Sequence, residues 1–166
     1  NANLPKMIER YEAAIHVASS QVFENVAEAI PGPGGEKGST AKFVKVNHMK
    51  VAAINFNAYQ KMETEIFMPL HKEAIKAGIM HDWVMAQRIL PFGSDWDNSF
   101  MTFDVFAKWG DMNTVAPEET FAKVHPGKNT DKIWEKMMNL REMTRSETWE
   151  IIDVVSQPTP KIIAEV

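Results

Sequence analysis

The sequence predicts one α+β domain in which four strands form an antiparallel sheet with helices packed on one face. Stretches of alternating apolar residues and stretches of helical spacing follow one another in the order β-α-β-β-α-β, and Pro and Gly punctuate the boundaries between them. An extra amphipathic helix precedes the first strand.

From Pro5 to Ile30 the residues Ile8, Tyr11, Ile15, Ala18, Val22, Val26 and Ile30 recur at helical spacing, with Glu9, Arg10, Glu12, Glu24 and Glu28 on other faces. This is read as the N-terminal helix, with a break near Ser19-Ser20. Pro31-Gly32-Pro33-Gly34-Gly35 ends it, and residues 31–40 read as a linker because nothing there can pack. The chain thus divides into residues 1–40, helix and linker, and residues 41–166, the ferredoxin-like domain.

Lys42 to Val51 alternates Phe43, Val44, Val46, Met49 and Val51 with Lys45, Asn47 and Lys50, as a strand with one buried face requires. Asn55 to Lys76 returns to helical spacing, with Tyr59, Met62, Ile66, Leu70, Ala74 and Ile75 on its apolar side. Pro69 is expected to kink this helix, since it lacks the N–H that the preceding turn needs, and Gly78 to stop it in a left-handed conformation. Asp82 to Pro91 and Ser99 to Trp109 read as two strands joined in a hairpin by the turn formers of Phe92-Gly93-Ser94-Asp95-Trp96-Asp97-Asn98. Thr114 to Ala122 and Asp131 to Arg145 read as helices, the second capped by Thr130 or Asp131. Thr148 to Val155 is the fourth strand, and Lys161-Ile162-Ile163-Ala164 a short edge segment.

A split βαβ order of this kind gives the ferredoxin-like fold. One face of the sheet lies under its own helices. The other exposes apolar side chains drawn from Phe43, Trp83, Met85 and Phe103 or their neighbours, each worth about 1.5–3 kcal/mol on burial. A homodimer through these sheet faces is therefore expected.

Composition narrows the functional classes. With 166 residues, 45% of them hydrophobic, the chain can bury a substantial core. A formal net charge of -4 and the lack of a Lys/Arg block argue against nucleic acid as a partner. The longest apolar runs, such as Val51-Ala52-Ala53-Ile54, fall far short of the roughly 20 residues needed to span a bilayer, so no membrane partner is expected. Zero cysteines remove disulfides and thiolate chemistry. The start at Asn1, without Met, favours a periplasmic or secreted protein over a cytoplasmic one.

The helix segment Glu63-Thr64-Glu65-Ile66-Phe67-Met68-Pro69-Leu70-His71-Lys72, the following Ala77-Gly78, the strand starting near Trp83 and the hairpin with an aromatic tip together resemble the dimeric α/β-barrel superfamily. That superfamily contains antibiotic-biosynthesis-type monooxygenases, haem-degrading enzymes and small bacterial proteins without an assigned activity, and the last are the nearest in appearance. The resemblance covers about Phe43 to Val155. It implies sheets placed face to face in a dimer, with a pocket between each sheet and its own helices. Trp83, His71 and Asn47 or Asn55 supply the residue types of the haem-degrading set without matching its motif, so no catalytic residue is carried over.

Five residues stand out as ligand-binding candidates: His71, Trp83, Arg88, Phe67 and Trp96. His71 follows Phe67 by one turn, and an imidazole titrating near neutrality suits acid–base work or ligation. The plainer role is a satisfied surface histidine. Arg88 is the charged outlier beside Val84, Met85, Ile89 and Leu90, where a buried guanidinium needs a carboxylate or ligand; an intersubunit ion pair is the plainer role. Trp83, Trp96 and eleven Met give an adaptable apolar interior suited to a bulky ligand, or simply a core. Glu63, Glu65, Asp82, Asp95 and Asp97 read as solvated charge. No His-rich run or recognised ligand spacing predicts a metal site, and no Gly-rich loop follows a strand to cradle phosphate. The expectation is a dimer that binds a small apolar or aromatic molecule without a dedicated cofactor; the alternative is a cofactor-independent monooxygenase or haem-handling enzyme.

Overall fold

The computed structural model describes residues 5–6, 20–30, 41–91, 93, 96–114 and 117–153. Among the described residues five strands form one antiparallel sheet: β1 (Val22–Ala29), β2 (Phe43–Val51), β3 (Asp82–Leu90), β4 (Phe100–Phe106) and β5 (Arg141–Glu150). Their spatial order is β1-β3-β4-β2-β5. The class is α+β, as the alternation of patterns predicts, but the sheet has five strands and not four.

The added strand is β1, which corrects the long N-terminal helix. Val22 to Ala29 pairs antiparallel with β3, from Val22 opposite Leu90 to Ala29 opposite Trp83. Its apolar residues Val22, Val26 and Ala29 fit helical spacing, but a short run cannot distinguish the two periods, and the unpaired edge of β3 supplies hydrogen bonds that an isolated helix end lacks. Residues 7–19 of the expected helix, the 31–40 linker and the Lys161–Ala164 edge segment lie outside the described residues.

The helix after β2 runs as α1 (Phe56–Met62), a π-helical turn (Glu63–Phe67) and α2 (Met68–Lys76). The irregularity expected at Pro69 takes this form: the Met68 N–H reaches back five residues to the Glu63 carbonyl. The wider turn eases the steric conflict that the proline ring creates with the turn before it. Gly78 stops the helix at φ 70°, as expected. The hairpin is also present, with β3 and β4 in register from Asp82–Val105 to Gln87–Phe100.

Two boundaries shift. The helix expected over Asp131–Arg145 is α4 (Thr130–Leu140), and the strand expected at Thr148–Val155 begins seven residues earlier, at Arg141. The segment Arg141-Glu142-Met143-Thr144-Arg145 has no strong strand propensity and is largely exposed. It is extended because β2 offers a long open edge, and the pairing runs from Val51–Arg141 to Phe43–Glu150. The helix expected over Thr114–Ala122 is α3 (Glu118–Val124), preceded by a 3-10 turn at Trp109–Asn113.

Register divides the sheet into two faces. Phe43, Asn47, Met49 and Val51 of β2, Trp83 and Met85 of β3, and Phe100, Thr102, Asp104 and Phe106 of β4 share the face beneath the helices. There the core forms from Met49, Tyr59, Met62, Phe67, Leu70, Trp83, Met85, Phe100, Phe106, Phe121 and Met137. Phe100 meets Phe56 and Tyr59 edge-on, with centroids 5.0 and 5.1 Å away. Val44, Val46, Val84, Ala86, Met101, Phe103 and Val105 lie on the opposite face and take no part in that core.

Candidate functional site

Three places in the fold bring chemically able side chains together. The first is a pocket of about 660 Å³ where the end of β2 and the start of α1 meet the hairpin tip. Val51, Ala52, Phe56 and Pro91 line it, with Arg88, Trp96 and Glu142. Ser99 locks this corner: its Oγ accepts from the Val51 N–H at 2.9 Å, and its N–H donates to the Met49 carbonyl at 2.8 Å. The Arg88 guanidinium lies 5.2 Å from the centroid of the Trp96 ring. Its Nε donates to the Asn98 carbonyl at 2.9 Å, and its Nη1 to the Pro91 carbonyl. Arg88 therefore grips the hairpin loop of its own chain and presents its plane beside Trp96.

Trp96 also borders a second pocket, of about 710 Å³, on the sheet face opposite α1 and α2, together with Phe23, His48, Asn98, Met101 and Arg145. His48 stands beside a bulge in the β2–β5 ladder. Its Nδ1 is 3.3 Å from Asn98 Nδ2, and its Nε2 is 3.8 Å from Glu147 Oε2. Burial and the neighbouring Arg145 hold the imidazole below its ordinary pKa, against the opposing pull of Glu147.

The second place holds His71, Trp83 and Phe67. The imidazole of His71 stacks on the Trp83 indole at 4.9 Å with 18° between planes. Its Nδ1 is buried without a hydrogen-bond partner, and burial pushes its pKa down to about 4. This histidine is neutral at physiological pH. Phe67, one turn earlier, is buried against Trp134 at 5.1 Å. The five sequence candidates thus separate into two groups: Arg88 with Trp96 at the hairpin, and His71 with Trp83 and Phe67 under the helix. His71 lines neither of the two pockets above.

The third place was not expected. Between α1 and the sheet lie Tyr59, Glu63, Asn47, Thr102, Asp104 and Arg141. Glu63, read from sequence as solvated charge, is 5% exposed, whereas Glu65 is exposed and pairs with Lys61 at 3.7 Å. Burial pushes the Glu63 carboxyl up to about 7, against the lowering pull of Tyr59 and Arg141. Asn47 Nδ2 donates to Thr102 Oγ1 at 3.1 Å and to Asp104 Oδ2 at 3.2 Å, while its Oδ1 accepts from Ser146 Oγ at 2.7 Å. Burial also pushes Asp104 up, to about 6, with Lys45 and Asn47 pulling the other way. The Arg141 Nε is buried with no hydrogen-bond partner. A helical-face count carries the missed signal: Tyr59, Glu63, Phe67 and Leu70 follow at spacings of four, four and three, so Glu63 falls on the apolar stripe.

Nearby, His125 Nε2 lies 2.8 Å from the Ile66 carbonyl in the π-helical turn. A carbonyl only accepts, so Nε2 carries the proton and ties α3 to that turn. Among the described residues, no three His, Asp or Glu side chains are placed to hold a metal ion. No protein-family model matches this chain, and no curated protein and no solved structure shows significant similarity to it.

Proposed function

We propose that this protein binds a small apolar or aromatic molecule in the pocket between the sheet end, the start of α1 and the hairpin tip. The observation that carries this reading is the Arg88 guanidinium held against Trp96 on the wall of a pocket whose apolar lining is Val51, Ala52, Phe56 and Pro91 and whose polar lining includes Lys50, Ser99 and Glu142. The indole and Phe56 offer apolar surface to a planar ligand, and the guanidinium can meet an electron-rich ring or a polar substituent. Naphthol serves as a probe, titrated against intrinsic tryptophan fluorescence. We expect saturable quenching in the wild type and at least roughly tenfold weaker binding in both Trp96→Ala and Arg88→Ala, or about 1.4 kcal/mol. Equal affinity in all three proteins would remove this reading.

The protein acts, in the same proposal, as a ferredoxin-like dimeric α/β barrel. With β1 set aside, the remaining strands lie in the order β3-β4-β2-β5, the arrangement that a split βαβ unit gives. Val44, Val84, Phe103 and Val105, half-buried on the face opposite α1 and α2, are the surface proposed for self-association, with Val46 and Ala86 of the same face already buried within the single chain.

The alternative, a cofactor-independent monooxygenase or haem-handling enzyme, has the neutral His71 in its favour. The residues around it do not fit haem: the imidazole lies flat on Trp83, Nδ1 is enclosed, and neither large pocket reaches it. A Soret band on haem titration that disappears in His71→Ala would restore that alternative.

A further inference from the structure

The second pocket, on the sheet face opposite α1 and α2, takes no part in the reading above and differs from the first in its chemistry. We propose that it binds a neutral polyhydroxylated ring of the kind a pyranose sugar presents.

Phe23, Trp96 and the nearly buried Met101 give this pocket apolar surface. Its polar lining includes Gln21, just ahead of β1, Asp97 and Asn98 in the hairpin loop, and His48 and Arg145, which stand opposite one another in the β2–β5 ladder. Val84, Phe103 and Val105 lie further along their strands from the hairpin loop, which keeps the pocket distinct from the surface proposed for self-association.

Several of these polar groups hold one another in place. Asn98, 4% exposed, directs its amide Nδ2 at His48 Nδ1 over 3.3 Å. An amide N–H only donates, so Nδ1 accepts and the imidazole proton sits on Nε2, which faces Glu147 Oε2 at 3.8 Å. Glu147 Oε1 lies 3.1 Å from Arg145 Nε and fixes the near side of that guanidinium. Arg145 Nη2 is 3.5 Å from His48 Nε2, but a protonated Nε2 cannot accept, so the Nη2 N–H groups remain for a ligand.

Charge and hydrogen bonding then decide the class of occupant. Arg145 disfavours a cation, while Asp97, with Glu147 beside Arg145, disfavours an anion. A purely apolar molecule would strip water from the Gln21 and Asn98 amides and from Asp97 without replacing their hydrogen bonds. A pyranose meets all three conditions. It is uncharged, its hydroxyls donate to Asp97 and accept from Arg145 and the amides, and its C–H faces can lie on Trp96 or Phe23. The volume of about 710 Å³ is that of a small-molecule site.

Saturation-transfer NMR on the full chain tests this, with methyl β-glucoside, methyl β-galactoside, methyl α-mannoside, maltose and cellobiose as probes. We expect transfer to the ring protons of at least one of them, and roughly tenfold weaker binding in Gln21→Ala and Arg145→Ala with the thermal midpoint unchanged. No transfer to any of the probes would overturn the proposal. Equal transfer in the wild type and both variants would also overturn it, by placing the binding elsewhere. Phenylalanine, a zwitterion able to meet both Arg145 and Asp97, is the competing probe, and its binding in place of the sugars would assign the pocket to amino acids instead.

Discussion

Glu63 and His71 lie on one helix and titrate in opposite senses. The Glu63 carboxyl stands at about 7 in the fold and 4.5 in the unfolded chain. Between those values the folded protein retains a proton that the unfolded chain has lost, so stability falls as pH rises through this window. His71 moves from 6.5 down to about 4, so the unfolded chain takes up its proton first and stability falls as pH drops. The two slopes oppose one another over most of their range, and the wild-type profile conceals both. Glu63→Gln separates them: it should equal the wild type below pH 4.5 and gain on it as pH rises to 7, by roughly 3 kcal/mol at full deprotonation. Urea midpoints across that range check this, and a constant difference between the two proteins would contradict it. The helical spacing that sets Glu63 on the apolar stripe is in the sequence, although the residue reads there as solvated charge; its desolvation is not, because helical spacing does not say what covers the stripe.

At the scale of elements, local signals and tertiary pairing share control. Helix α4 starts one residue from the expected position, and its cap is Asn129 in place of the expected Thr130 or Asp131: Asn129 Oδ1 accepts from the Lys132 N–H at 2.9 Å. Asn129→Ala should cost about 1 kcal/mol, seen as a drop of several degrees in the thermal midpoint without change in the folded spectrum. Leu70, 1% exposed at the centre of the core, should cost about 2–5 kcal/mol as Leu70→Ala. The strands behave differently. β2, β3 and β4 carry alternating or continuous apolar residues and announced themselves, whereas β1 and β5 are edge strands. β5 has Arg, Glu, Ser and Thr on both faces, and Glu24 and Glu28 punctuate β1. Such charge discourages further strand addition and removes the apolar alternation by which a strand is read.

For the whole molecule, the consequence concerns what lies opposite the helices. If the Val44, Val84, Phe103 and Val105 strip pairs two protomers, light scattering should give twice the monomer mass. Phe103→Asp, which sets a charge on the central strand of that face, should give the monomer. A wild-type monomer at micromolar concentration would dismiss the self-association.

The sequence by itself determined the α+β class, the hairpin, the helix with its irregularity at Pro69 and its stop at Gly78, and the absence of cysteine chemistry. These rest on periodicity, backbone geometry and composition, which are local. Only the tertiary structure decided that the sheet has five strands, that Arg88 meets Trp96 while His71 meets Trp83, and that Tyr59, Glu63 and Arg141 share one interior. An edge strand takes its hydrogen bonds from a partner distant in sequence, and a polar group becomes an orphan only when distant elements close over it.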